Sequence, residues 1–150
     1  MAYKLNEDVY KIDIENEVGE ITAVSLDAND IAQVDALFTL FEAFEQIKKN
    51  IDKRVKKLKK EYQDQRVIMR QQLRILNEEL ELFYEALNGA FGDNVAQEIF
   101  GKKKSIVAVM NFVNMLEAEF EPAIAKAQEL QNKKFKEWDE KYTKTDDDLL

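Results

Sequence analysis

The chain of 150 residues has no cysteine, no histidine, one proline and four glycines. Without Cys there is no disulfide framework and no thiolate nucleophile, a composition that suits a reducing compartment. Without His the usual general base near neutral pH and the commonest metal ligand are both missing, which excludes most hydrolase and transferase sites. The two serines, Ser25 and Ser105, abut expected helix starts and neither sits in a nucleophile elbow. Gly19, Gly89, Gly92 and Gly101 make no phosphate-cradling or dinucleotide pattern. No apolar run approaches the roughly 20 residues of a membrane span, and residues 1–13 lack the basic start and apolar stretch of a signal peptide. The expectation is a non-enzymatic, cytoplasmic protein with no cofactor, no metal and no membrane partner.

What is present is a composition for folding: 45% hydrophobic and 35% charged residues. Disorder over most of the length is therefore excluded. The length suits one domain, expected over residues 1–142 with a mobile acidic tail at 143–150. The net charge of -8 opposes nucleic-acid binding by the chain as a whole. That charge is segregated: residues 1–47 carry 2 basic and 11 acidic side chains, residues 48–74 carry 11 and 3, and residues 75–150 carry 9 and 16. The middle third is a cationic segment that either pairs within the chain or faces an acidic partner.

The pattern reads as mainly α with an N-terminal β-hairpin. Tyr10, Ile12 and Ile14 alternate with charged residues, Asn16 to Gly19 signal a turn, and Ile21 to Leu26 return, giving a hairpin over about 9–26. Asp27 is the expected cap of a helix in which Asp30 adds first-turn charge. From there to Asn88 no Gly or Pro occurs. Apolar residues recur at Ile31, Val34, Phe38, Phe41, Phe44, Ile47, Ile51, Val55, Leu58 and Tyr62, mostly at steps of three or four. The stripe weakens over residues 61–66 and resumes at Met69, Leu73, Leu76, Leu80, Phe83 and Leu87. A long amphipathic helix, straight or mildly kinked, is favoured over a fold-back because no turn former is evident at the weak point. Asn88 to Gly92 form a break, Asp93 caps a short helix from Val95 to Phe100, and Gly101 closes it as a left-handed residue. Ser105 caps a last helix that carries Ile106, Val109, Met110, Phe112, Val113, Leu116 and Phe120 and is expected to kink near Pro122. Beyond it Ile124, Leu130, Phe135 and Trp138 are apolar points.

Two charge features are candidates for function. Glu78, Glu79, Glu81 and Glu85 resemble carboxylates at metal-site spacing, but without histidine or an aspartate-rich loop a solvated helix face is the better reading. The tail triplet Asp146 to Asp148 reads the same way. Lys48, Lys49, Lys53, Arg54, Lys56, Lys57, Lys59 and Lys60 form a dense basic run that suits either the polar face of a packed helix or an acidic partner. Nucleic acid is disfavoured because acidic segments flank the run and no aromatic platform interleaves with it. Phe38, Phe41 and Phe44 read first as core. A single long helix in so small a chain cannot bury its whole stripe, however. Protein-binding candidates are therefore Phe38, Phe41, Phe44, Ile51, Val55, Leu58 and Tyr62, with Phe112, Leu116 and Phe120 on the last helix.

The segment from Leu87 to Gly101, LNGAFGDNVAQEIFG, resembles the break and short helix of tail assembly chaperones from phages and prophages of Gram-positive bacteria. The order of parts over about residues 9–142 is similar too. The resemblance implies a protein that binds the tape measure protein, keeps it soluble, helps recruit tail tube protein, and is absent from the mature virion. Two other classes stand beside it: a small acidic inhibitory or regulatory binding protein of a phage, and an oligomeric, coiled-coil-like structural protein. Self-association is open in all three.

Overall fold

The computed structural model describes residues 1–5 and 9–149, and the side chains of these except residues 10 and 143–149. The expected mobile tail, 143–150, lies outside the residues so described. Two strands, β1 (Tyr10–Glu15) and β2 (Ile21–Leu26), precede four helices: α1 (Ile31–Glu61), α2 (Gln65–Phe91), α3 (Val95–Phe100) and α4 (Ile106–Leu149). The chain is mainly helical, as its periodicity requires.

The hairpin is antiparallel, with Ile12 opposite Val24 and Ile14 opposite Thr22. Its turn is held by Asn16, whose Oδ1 accepts from the backbone N–H groups of Val18 (3.1 Å) and Glu20 (2.9 Å). Two strands alone are marginal in water, so the apolar face must be covered. Val24 and Leu26 are buried in the same cluster as Leu37, Leu40, Phe83 and Val109. Thr22 Oγ1 also donates to the Glu98 carbonyl on α3 (3.2 Å).

Asp30, and not Asp27, is the cap of α1: its Oδ1 accepts from the Ala32 and Gln33 N–H groups. Asp27 instead turns the chain, accepting from the Asn29 N–H (3.0 Å), while Gln33 bridges the Asp27 N–H and the Ser25 carbonyl. The strand-to-helix connection is thus closed by side chains rather than by a longer loop.

The stretch at 61–66 is a fold-back, which corrects the expectation of one long or mildly kinked helix. Helix α1 ends at Tyr62, which is extended (φ -125, ψ 144), and Asp64 caps α2 by accepting from the Arg66 N–H (2.9 Å). A helix-start residue was therefore the turn signal, and no glycine or proline was needed. Helices α1 and α2 pack antiparallel: Phe44 meets Phe83 edge-on at 5.8 Å, and Arg54 reaches Glu78 and Glu79. The buried seam of α1 runs through Leu37, Leu40, Phe44, Ile47 and Leu58. Leu37 and Leu40 lie off the expected stripe, whereas Phe38, on it, is 51% exposed.

Helix α2 does not break at Asn88 and Gly89; it continues to Phe91 and ends at Gly92. Asp93 is not the cap of α3. Asn94 holds that position in the left-handed region (φ 67, ψ 7) without a side-chain cap. The orphan N–H of Ala96 is met instead by Asn88 Oδ1 from α2 (2.8 Å), so residue 88 staples the two helices rather than separating them. Gly101 has positive φ as expected, but its ψ of -143 removes it from the left-handed helical region. Gly92 (φ 119, ψ 165) occupies a region open in practice to glycine alone. Gly92→Val should therefore cost about 1–3 kcal/mol although a Cβ there would meet nothing within 4 Å. A melting curve that does not move would show that the turn tolerates another conformation.

Helix α4 starts where Ser105 Oγ accepts from the Ala108 N–H (3.2 Å), and it runs through Pro122 as one element. Proline supplies no N–H there, so the Ala118 carbonyl loses its helical donor. Phe112, Val113, Leu116 and Phe120 are buried against the body.

Candidate protein-binding faces

The fold-back changes which residues are available. Phe44, Leu58, Phe112, Leu116 and Phe120, expected to meet a partner, are buried in the chain's own core. Phe41, Ile51 and Val55 are half-buried against that core, while Phe38 and Tyr62 remain exposed. The reason is direct: α2 supplies the cover that a lone long helix would have lacked.

Among the described residues, two of the uncovered apolar faces run beyond the packed body. The first is at the far end of the α1–α2 hairpin. Leu58, Ile68 and Ile75 form a small cluster there, separate from the main core, with Ile51 and Val55 beside it. A pair of helices buries one seam only. On α2 the residues Met69, Leu73, Leu76, Leu80, Phe83 and Leu87 repeat at alternating steps of four and three, so they share one face. In the body that face is closed: Leu80, Phe83 and Leu87 are buried, and neighbouring Tyr84 stacks on Phe100 of α3 at 5.3 Å. Toward the tip the same face runs on, with Met69 64% and Leu73 62% exposed.

The basic run surrounds this tip, but its members differ. Arg54 is not part of an open patch. It stands on the α1 seam between Ile51 and Leu58, donating to Glu78 (2.7 Å) and to Glu79 Oε1 (3.1 Å). Its hydrogen bond to Glu78 holds the arginine pKa above its ordinary value and the Glu78 pKa below the ordinary carboxylate value. Glu79 corrects the expected solvated acidic face, for it is 4% exposed and its Oε2 has no hydrogen-bond partner among the described residues. Glu81 pairs with Lys104, and Glu78 also meets Arg74 at 3.5 Å. Burial, then the charge of Glu81, raises the Tyr84 pKa, and the phenol donates to the Lys103 carbonyl at 3.1 Å.

Among the other cations, Lys48 pairs with Glu45, Lys56 with Asp52 and Lys57 with Glu61, all within α1. Lys49, Lys53, Lys59 and Lys60 are exposed and form no ion pair among the described residues. Because the chain reverses at 62–64, Arg66 and Arg70 of α2 come back beside them, and the whole cationic third is gathered at one end.

The second uncovered face is on α4. From residue 131 to residue 142 every side chain is exposed, so this part projects from the body as an arm of about 18 Å. Phe135 (67% exposed), Trp138 (59%) and Tyr142 lie at steps of three and four on it, and the Trp138 and Tyr142 rings approach to 4.7 Å. At the base of the arm is an open cleft of about 440 Å³ between α1 and α4, lined by Phe38, Phe41, Phe120, Ile124 and the stems of Glu117 and Glu121. The exposed points Met69, Leu73, Phe135 and Trp138 were not among the expected binding residues. Their signal was an apolar stripe that overruns the elements able to cover it.

Among the described residues no three carboxylates stand together as a metal site, and no helix is long and apolar enough to cross a membrane. Comparison with curated proteins and with solved structures finds no match. A family model does match, over residues 20–147, a span that takes in β2, α1, α2, α3 and α4 as far as residue 147. The chain thus belongs to the family of unknown function DUF6673.

Proposed function

We propose that this protein is a non-enzymatic tail assembly chaperone that binds the amphipathic helices of a tape measure protein in the host cytoplasm, keeps them soluble and helps recruit tail tube protein. The observation that carries the reading is the unfinished helical bundle at the α1–α2 tip: Met69 and Leu73 continue a heptad-like face that is closed elsewhere in the molecule. A third helix laid along that face completes the bundle, and the client's apolar stripe supplies it. The exposed cations gathered at the same end, Lys49, Lys53, Lys59, Lys60, Arg66 and Arg70, favour a helix with acidic flanks and speed encounter at low salt. The likeness of residues 87–101 to tail assembly chaperones supports the same reading.

Met69→Asp with Leu73→Asp tests the face without disturbing the core, since both side chains are exposed. Acid at Leu58 would instead disrupt the α1–α2 seam, and acid at Phe41 would disrupt its packing against Phe120. Co-expressed with tape measure fragments, the native chain should carry them into the soluble fraction, and the double variant should lose that effect by tenfold or more, about 1.4 kcal/mol at the least. A double variant that solubilises as well as the native chain would sink this surface. A gene neighbourhood without a tail tube gene and a very long tape measure gene would sink the identity.

A further inference from the structure

We infer that the α4 arm of one copy seats in the α1–α4 cleft of a second copy, and that the second copy's arm seats reciprocally in the first. The argument goes beyond the chaperone reading and does not depend on it. The apolar face of the arm is the core-facing face of α4 continued: Phe120, Ile124, Phe135, Trp138 and Tyr142 fall within about one quarter of the helix circumference. That face leaves the body already built for packing. The cleft beside it is walled by Phe38 and Phe41 on one side and by Glu117, Glu121 and Ile124 on the other. It is an apolar slot with one acidic wall, on α4.

The arm cannot fill the cleft of its own chain. Both lie on α4, which is continuous, and a helix cannot fold back on itself without breaking. Any occupant therefore comes from outside, and a second copy matches the slot in two respects. Trp138 and Phe135 match its aromatic lining. Antiparallel pairing of two α4 helices about a two-fold axis near Leu130 sets Trp138 of one copy beside residue 122 of the other, in the middle of the cleft wall. This geometry uses each arm and each cleft once, which is the closed, isologous arrangement of a dimer. Three half-exposed aromatics bury about 100 Å² each, and two arms with the surfaces that receive them reach roughly 1,200 Å², the lower range of specific interfaces.

Trp138 is the only tryptophan, so its fluorescence reports the contact directly. Sedimentation of the full chain should show a dimer, and Trp138 emission should shift to shorter wavelength as concentration rises through the dimerisation range. Trp138→Asp should weaken the dimer by about thirtyfold per arm, about a thousandfold in all. Phe38→Asp, on the cleft, should do the same while leaving the fold intact by circular dichroism. Should that variant not fold, Ala125→Arg obstructs the slot without removing a buried side chain. Mixing Trp138→Asp with Phe38→Asp restores one sound arm in one sound cleft and should return a heterodimer. A chain that stays monomeric with an exposed Trp138 overturns the inference. So does a dimer lost with Trp138→Asp but kept with both cleft variants, for then the arms pack on each other.

Discussion

Replacing Phe83 by Ala should cost about 4 kcal/mol, the largest loss expected from any single truncation in this chain. Phe83 is fully buried, meets Phe44 edge-on, and lies where α1, α2 and the body share one core. Removing its ring takes away both the transfer free energy of the side chain and the contacts that fix the hairpin against the body, because a close-packed interior relaxes only in part. Against a total stability of about 5–15 kcal/mol the change is large, and the melting temperature should fall by about 10 °C. Val107→Ala is the control, since Val107 is exposed and its truncation should stay within about 0.5 kcal/mol. Urea titration of both variants measures the difference. A Phe83→Ala loss below about 1.5 kcal/mol would mean that the α1–α2 seam is not packed as described.

Arg54→Ala is the second large effect. Glu79 is buried and its only hydrogen-bonded partner among the described residues is Arg54, so truncation leaves a carboxylate without compensation inside the seam. For a fully buried pair the loss is about 3–5 kcal/mol; the Arg54 side chain is 41% exposed, so solvent screening reduces it to about 2 kcal/mol. The paired change Arg54→Leu with Glu79→Leu should recover that loss, because leucine at position 54 extends the Ile51 and Leu58 seam and no charge remains to desolvate. A single variant as stable as the native chain would show that water reaches Glu79. A double variant no better than Arg54→Ala would show that packing, not desolvation, is what Arg54 contributes.

The residues that were misplaced share a cause. Helical spacing names a stripe but not the neighbour that covers it, so Phe38 and Leu37, adjacent in sequence, exchanged places between surface and core. At 62–64 the turn was written in a cap, Asp64, and in a weakening of the stripe. Neither stands out beside the glycines that mark residue 92 and the hairpin turn. Arg54 looked like one more lysine-like charge because its role depends on Glu79, 25 positions away, which only the fold-back brings near. Asn88 looked like part of a break because its capping partner, Ala96, belongs to the next helix.

Local chemistry alone determined much of this protein. Period-two alternation and an Asn-to-Gly turn specify the hairpin, Ser105 and Gly101 bound α4 and α3, and the lack of Cys and His narrows the chemistry before any fold is known. These are effects of neighbours within one or two turns, and sequence records neighbours. What only the tertiary structure decided is the reversal at 62–64, which buries Phe44, Ile47 and Leu58 of the stripe, gathers the cationic third at one end and leaves Met69 and Leu73 uncovered at the tip. Burial is a property of surfaces that meet. Residues distant in sequence meet only once the chain has folded.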